Sequence, residues 1–318
     1  MPEQKQSNTA SILSVLGALI LWGSSFVAIK FAYTTYPPLT LAVVRFVVAT
    51  AILGGLTLLP QNRVRLQKKD IFTVAICGLT GIMLYAVLQN IAMQWTSASS
   101  ATLIIASYPI ITLLMESAIY KKKLSAIKIV AILIAIVGVV ILSYVKSESR
   151  VEGELFGIIL FIIAGIGWAV YNFMMKRVVN HYPPITLQFY ITLVGTIFLL
   201  PLALLERGQW KQPTLLSFSM MMFLGVFCSV VAYLLYNRGL KTMAPSTVTS
   251  MLNLMPIIGV FFSWVLLGEQ VTLRKIIGGA IVIFGVMLSV RKTKTERVPE
   301  TEAPAEIASK DAQTESKT

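Results

Sequence analysis

YPPLTL, residues 36–41, returns as YPPITL at residues 182–187, an offset of 182 − 36 = 146. Around the phrase the correspondence widens. At the same offset Trp22 falls on Trp168, Lys30 on Lys176, Tyr36 on Tyr182, Pro37 and Pro38 on Pro183 and Pro184, and Thr40 on Thr186. One residue further, at 147, Gly78 falls on Gly225, Asn90 on Asn237, Ser99 on Ser246, Thr102 on Thr249, Pro109 on Pro256, Lys128 on Lys275 and Gly138 on Gly285. Matches of Leu or Ile mean little in an apolar chain, so the Trp, Pro, Asn, Tyr and Lys matches carry the weight. They keep their order along nearly the whole repeat. The chain reads as two copies of one unit, and the Tyr-Pro-Pro turn itself needs no more than a helix stop followed by a fresh helix start.

Composition says where such a unit resides. Of 318 residues, 56% are hydrophobic and only 13% charged, too apolar for a water-soluble domain of this length. Runs near the ~20 residues that cross ~30 Å of hydrocarbon occur at residues 11–29, 39–59, 71–92, 98–119, 127–144, 155–175, 185–205, 215–236, 247–267 and 276–290. The expected fold class is an all-α integral membrane protein with ten transmembrane helices. Five crossings per copy make the second copy enter from the opposite side, so the two five-helix repeats are inverted in topology. The expected organisation is a cytoplasmic tail at 1–10, a first repeat at 11–146, an external linker at 147–154, a second repeat at 155–292 and a disordered cytoplasmic tail at 293–318. That last stretch is rich in Glu, Thr, Ala and Lys and poor in apolar side chains.

The formal charge of +13 comes mainly from short loops, where Lys and Arg set orientation rather than bind nucleic acid. With the N-terminus cytoplasmic, 17 of them up to Arg297 fall in cytoplasmic segments and 7 in external loops, which favours both termini inside. The first run lacks a strongly basic leader and has a counterpart later in the chain, so it reads as a retained helix rather than a signal peptide. Cys77 and Cys228 lie within apolar runs at non-equivalent places, so neither a disulfide nor a metal site is expected, and no cofactor. There is no GxxxxGK[ST], HExxH or CxxC. The single histidine, His181, stands in the second Tyr-Pro-Pro loop, and no nucleophile, base and orienter assemble from the runs. The chain is not expected to be an enzyme.

The polar residues left inside the runs are the candidate substrate cavity. Pro109 and Pro256, at equivalent places, read as helix kinks, since each frees the carbonyl four residues earlier, on Ile105 and Leu252. They have Ser107, Tyr108 and Asn253 beside them; a packing kink is the alternative. Asn90 and Asn237 must find partners in hydrocarbon, either as clamps between helices or at the mouths of a cavity. Trp22 and Trp168 sit several residues inside their runs, as gate or pocket residues or as interfacial belt. Tyr171, Asn172 and Tyr233 complete the set. Arg45 and Glu116 are the intramembrane charges, candidates for a coupling or charge role by default. For each the alternative is snorkelling, Arg45 to the external interface and Glu116 toward Lys121, Lys122 and Lys123. Ala131 and Gly138, with Gly278 and Gly285, read as close helix packing.

Ten runs in two copies, LWGSSFVAIK in the first, LTLAVVRF opening the second, SSATLIIASYPIITLLMESAIYKKKLS around the fourth and its counterpart STVTSMLNLMPIIGVFFSWVLLGEQVTLRKIIGGAIVIFGVML resemble the EamA-type branch of the drug/metabolite transporter superfamily. The resemblance covers residues 11 to 292. It implies a basket of inverted repeats around a central cavity built chiefly from helices one, three, four, six, eight and nine, exporting amino acids, other metabolites or drugs. The Gly-Glu usual after the ninth helix stands here as Gly268-Glu269, whereas the first copy has Lys121-Lys122. The reading is therefore a secondary transporter, an exporter of small organic metabolites such as amino acids, working by alternating access in the plasma membrane of a prokaryote. A small-molecule substrate and the lipid bilayer are its partners, and a homo-oligomer is compatible with it. A drug efflux carrier, or a non-transporting membrane protein that keeps the fold, is the alternative.

Overall fold

The computed structural model describes residues 2–95, 105, 108–121, 126–143, 154–267 and 273–290. Among them the regular elements are helices: α1 (Pro2–Ala32), α2 (Pro38–Thr57), α3 (Ile71–Gly78), α4 (Tyr85–Trp95), α5 (Tyr108–Tyr120), α6 (Ala126–Ser143), α7 (Glu154–Val178), α8 (Pro184–Ala203), α9 (Leu215–Phe223), α10 (Ala232–Thr242), α11 (Pro245–Ser250), α12 (Met255–Leu267) and α13 (Leu273–Val290). π-helical turns at Leu79–Leu84 and Leu224–Val231 join α3 to α4 and α9 to α10. A tighter 3-10 turn, Met251–Leu254, joins α11 to α12. Among the described residues six helical stretches are long and apolar enough to cross a membrane: Thr9–Ile29, Pro38–Thr57, Lys68–Trp95, Leu155–Val178, Pro184–Gln209 and Leu215–Thr242. Shorter apolar helices lie at Tyr108–Ile119, Ala126–Gly138 and Ile276–Leu288.

The repeated phrase works as a hinge between helices in both places. Pro37 and Pro183 are extended (ψ 155° and 138°), as a residue followed by proline prefers, and Pro38 and Pro184 then occupy the first position of α2 and α8. There the missing amide costs nothing, because the first four helical amides have no partner within the helix. The next orphan amides of α2 are met from afar: Leu39 and Thr40 donate to the Glu206 carboxylate at 3.1 and 2.7 Å, a negative charge at a helix N-terminus. Trp210 Nε1 donates to Thr40 Oγ1 at 3.0 Å. At the equivalent place Thr186 Oγ1 donates to the Asn62 carbonyl, and Tyr182 OH donates to Asp70 Oδ2 at 2.6 Å while accepting from the Gln67 amide at 3.1 Å. Since α2 begins beside Tyr36 and ends before residues 58–70, these two loop clusters mark opposite ends of the bundle. They are called here the Tyr36 end and the Tyr182 end.

Lys121, just past the end of α5, is the non-glycine residue with positive φ among the described residues, at 50°. Its equivalent in the second copy is Gly268 (121 + 147). A left-handed residue just past a helix end is the position where glycine is ordinarily found, and a lysine there costs roughly 1–2 kcal/mol.

The outward faces are apolar. On α6 Ile127, Val130, Leu133, Val137 and Val140 are exposed while Ala131, Ile132 and Ala135 on the same helix are buried. On α13 Ile276, Ile277, Ile283, Phe284 and Met287 are exposed while Val282 and Val286 are buried. Water would not tolerate so continuous an apolar surface, and hydrocarbon favours it.

Inside, positions related by the repeat offset touch one another. Thr50 Oγ1 and Thr196 Oγ1, 146 apart, stand at 2.8 Å, and the Trp22 and Trp168 rings, also 146 apart, meet edge to face at 5.7 Å. A Cβ on Gly138 would lie 2.6 Å from the Val282 amide nitrogen and 2.8 Å from the Gly278 carbonyl; one on Gly285 would lie 2.6 and 2.8 Å from Ala135 N and Ala131 O. Every partner in the second contact is the first contact's equivalent shifted by 147. Small residues thus let the backbones of α6 and α13 meet. Such contact between equivalents is what a two-fold relation between the copies produces.

Candidate functional site

The cavity of interest is small in this conformation, about 50 Å³, and lies among α1, α2, α4, α7, α10, α12 and the turns beside them. Aromatic rings of Trp22, Tyr85, Trp168 and Tyr233 form much of its wall, Ser25, Arg45 and Gln89 are its polar members, and Ile29, Ile105, Cys228, Leu252 and Met255 complete it. The rings support one another. Trp22 lies 5.4 Å from Tyr233 and 5.2 Å from Tyr236, Tyr85 lies 5.0 Å from Trp168, and Trp168 stacks on Tyr171 at 5.1 Å. Aromatic pairs of this geometry contribute ~0.5–1.5 kcal/mol each beyond the area they bury, so the wall is preformed rather than pliable.

Two of these rings are pinned by the π turns. Trp22 Nε1 donates to the Cys228 carbonyl at 2.9 Å, and Tyr233 OH donates to the Gly81 carbonyl at 3.1 Å. Gly81 and Cys228 are equivalent, since 228 − 81 = 147, and each lies within its copy's π turn. Widened turns of this kind recur at functional sites. At Gly81 a side chain has no room: a Cβ would lie 2.2 Å from the Tyr171 ring.

Toward the Tyr182 end the cavity is closed by a buried hydrogen-bond network. Tyr171 OH donates to Asn237 Oδ1 at 2.8 Å, Asn237 Nδ2 donates to Gln188 Oε1 at 2.9 Å, and Gln188 Nε2 donates to Thr192 Oγ1 at 3.1 Å. Beside it Tyr236 OH donates to Asn172 Oδ1 at 3.0 Å, and Asn172 Nδ2 donates to the Trp168 carbonyl at 2.8 Å. Below the network Lys176 Nζ donates to the carbonyls of Leu240, Lys241 and Met243, a cation meeting orphan carbonyls at the C-terminus of α10. At the Tyr36 end a second hollow is lined by Tyr33, Thr35, Tyr36, Met93, Gln94 and Lys211, among others. There Tyr33 OH donates to Asn90 Oδ1, and Asn90 Nδ2 to the Ala86 carbonyl at 2.7 Å. In the Tyr182 loop, burial and the hydrogen bond to Asp70 raise the Tyr182 phenol above its ordinary value.

The residues singled out in the sequence therefore divide. Trp22, Trp168, Tyr233 and Arg45 line the cavity. Asn90, Asn237, Tyr171 and Asn172 join helices through the hydrogen bonds just described. Tyr108 is buried away from the cavity wall: its hydroxyl donates to the Phe161 carbonyl at 3.0 Å and its ring lies against Gly165. Asn253 is buried, and neither atom of its amide has a hydrogen-bond partner among the described residues. Ser107 lies outside the described residues. Pro109 and Pro256 each occupy the second residue of their helices, α5 and α12. The Leu252 carbonyl that Pro256 cannot serve accepts the Met255 amide instead, which tightens the backbone into the 3-10 turn. Glu116 is not in the cavity wall; its carboxylate accepts the Ser246 amide at 3.3 Å, at the start of α11. Arg45 turns inward: its Nε donates to Ser229 Oγ at 3.1 Å and its guanidinium carbon lies 4.8 Å from the centre of the Phe46 ring.

Ser25, Tyr85 and Gln188 are members that sequence reading passed over. Gln188 was open to discovery, as a lone amide in an apolar run directly after the repeated phrase. Tyr85 has Ala232 as its equivalent, so the repeat gave no signal for it.

The sequence matches the EamA-like transporter family over residues 9–144 and again over residues 155–291. A relative from Archaeoglobus fulgidus, named an uncharacterized transporter, is 28% identical over 271 residues, 85% of this chain and 95% of its own. Another, from Streptantibioticus cattleyicolor and named a probable terminal-alkyne amino-acid exporter, is 25% identical over 290 residues, 90% of this chain and 95% of its own. A known crystal structure shares the fold, with a TM-score of 0.74 at 17% identity over 88% of this chain and 96% of that one.

Proposed function

The chain belongs to the EamA-like transporter family, whose members are membrane transporters rather than enzymes, and from that premise we propose that it exports small organic metabolites such as amino acids by alternating access. Ten transmembrane segments form two inverted five-helix repeats, residues 11–146 and 155–292, joined by an external linker at 147–154. The tails at 1–10 and 293–318 are cytoplasmic, and the membrane is the plasma membrane of a prokaryote. The Tyr36 end is then external and the Tyr182 end cytoplasmic.

One observation carries this reading. Trp22 and Trp168, equivalent residues of the two copies, meet at the cavity wall. A binding site on a two-fold axis presents related surfaces to both sides of the membrane, so rocking one copy against the other exposes the same site alternately. In the conformation described, the Tyr182 end is closed by the Tyr171, Asn237 and Gln188 network and the Asn172–Tyr236 pair. At the Tyr36 end the corresponding Asn90 has a single tyrosine partner, Tyr33. The substrate leaves externally once the heavier closure forms behind it. The name of the Streptantibioticus relative supports amino acids as the substrate class.

The test is flux in proteoliposomes loaded with a panel of amino acids, nucleobases, sugars and cationic dyes, comparing wild type, Trp168→Ala and protein-free vesicles. Export of one amino-acid class by wild type, lost in Trp168→Ala, is the expected result. Export of the dyes alone makes the protein a drug efflux carrier, and no flux of any compound sinks the carrier reading.

A further inference from the structure

We infer that the cavity recognises an organic carboxylate carried on an apolar or aromatic body, with Arg45 as the group that receives the carboxylate. The inference deepens the transport reading and rests on it.

Arg45 lies within the Pro38–Thr57 stretch, long and apolar enough to cross a membrane, and reaches the cavity wall. A guanidinium is charged at any physiological pH and costly to hold in hydrocarbon. Among the described residues no carboxylate pairs with it. Its hydrogen-bond partner is the Ser229 hydroxyl, which takes the Nε proton, and its guanidinium carbon also lies by the Phe46 ring, 4.8 Å from the ring centre. Ser229 thereby fixes one edge of the fork, and the remaining N–H donors have no protein acceptor among the described residues. Glu206 is committed to the start of α2, where it accepts from the Leu39 amide, from the Thr40 amide and from the Thr40 hydroxyl. Glu116 is engaged at the start of α11.

The charge count of the wall then selects the ligand. One fixed cation and no acidic residue among the lining side chains attract a monoanion. A phosphate, with more charge to satisfy, calls for converging Arg and Lys groups, whereas a planar carboxylate matches a single guanidinium fork. The rest of the wall is aromatic and aliphatic, chiefly Trp22, Tyr85, Trp168 and Tyr233, which suits an apolar body. An amino-acid ammonium group would stand against ring faces, where cation–π attraction favours it. A purely cationic amphiphile could use the same ring faces but brings no anion to Arg45, which repels it.

The test needs two probes of one shape. 3-Phenylpropionate and its amide, 3-phenylpropanamide, share a body and differ in the head group, an anionic carboxylate against a neutral amide, and their affinities for the purified full-length chain are measured by titration calorimetry. The expected result is tighter binding of the carboxylate by about tenfold or more, the range of a hydrogen bond to a charged group, with the preference abolished in Arg45→Gln and partly kept in Arg45→Lys. The wild-type comparison stands even if a variant folds poorly. Equal affinities overturn the inference, and so does a carboxylate preference that survives in Arg45→Gln. Binding of neither probe also overturns it. In each case the transport reading is decided separately by the flux panel, where export of a compound without a carboxylate would keep the carrier and remove this assignment.

Discussion

Replacing Asn237 by leucine and Tyr171 by phenylalanine, singly and together, reads the closure at the Tyr182 end. Asn237 is buried and spends both ends of its amide within the protein, accepting from Tyr171 OH at 2.8 Å and donating to Gln188 Oε1 at 2.9 Å. Asn237→Leu leaves the Tyr171 hydroxyl and one Gln188 oxygen without partners in a site where water does not reach. In a water-soluble core each orphan costs ~1–3 kcal/mol. In membrane proteins measured side-chain hydrogen bonds average ~0.6 kcal/mol with a maximum near ~1.7, because the unfolded reference also finds partners. Two lost bonds therefore place Asn237→Leu about 1–3 kcal/mol below wild type, and Tyr171→Phe, which removes one bond, at about half that. The Tyr171–Asn237 bond is counted in both single variants, so their effects exceed that of the double variant by its coupling energy, about 0.6–1.7 kcal/mol. The assay is reversible unfolding in mixed micelles. Additivity within ~0.3–0.5 kcal/mol, the scatter for independent sites, would refute the view that this network locks the closed end.

Other outcomes follow from single contacts. Gly138→Ala places a methyl group 2.6 Å from the Val282 amide nitrogen, so α6 and α13 must part, and the unfolding free energy should fall by about 1–3 kcal/mol. Lys121→Gly relieves the left-handed residue at φ 50° and should raise the thermal midpoint by an amount corresponding to about 1 kcal/mol; a lowered midpoint would refute it. Tyr182→Phe removes the donor to Asp70 and should cost about 1.5–3 kcal/mol, as expected for a hydrogen bond to a charged acceptor. Glu116→Gln keeps an acceptor for the Ser246 amide while removing the charge, so it should cost under about 1 kcal/mol and leave the pH dependence of flux unchanged. A flattened pH profile would instead make Glu116 the coupling residue.

What the sequence by itself determined is what can be written along one dimension. Hydropathy marks the apolar runs, because crossing or lining hydrocarbon is a property of each segment's own side chains. The offsets of 146 and 147 predicted which residues correspond, and the structure brings several of those equivalents into mutual contact, Thr50 with Thr196 and Trp22 with Trp168. Proline chemistry in the repeated phrase was likewise legible, since extended Pro37 and helical Pro38 depend on nearest neighbours alone. Direction was not. Nothing local tells whether Arg45 reaches outward to an interface or inward to Ser229, because the hydroxyl that holds it lies 184 residues away in the chain. Nor could the amides be sorted: Asn90 and Asn237 are the same residue at equivalent positions, yet one meets Tyr33 and the other Tyr171 and Gln188. The π turns left no compositional mark, and they set which faces of α4 and α10 turn toward the cavity. Partner choice for a buried polar group is settled by what packs against it, and that is decided in three dimensions.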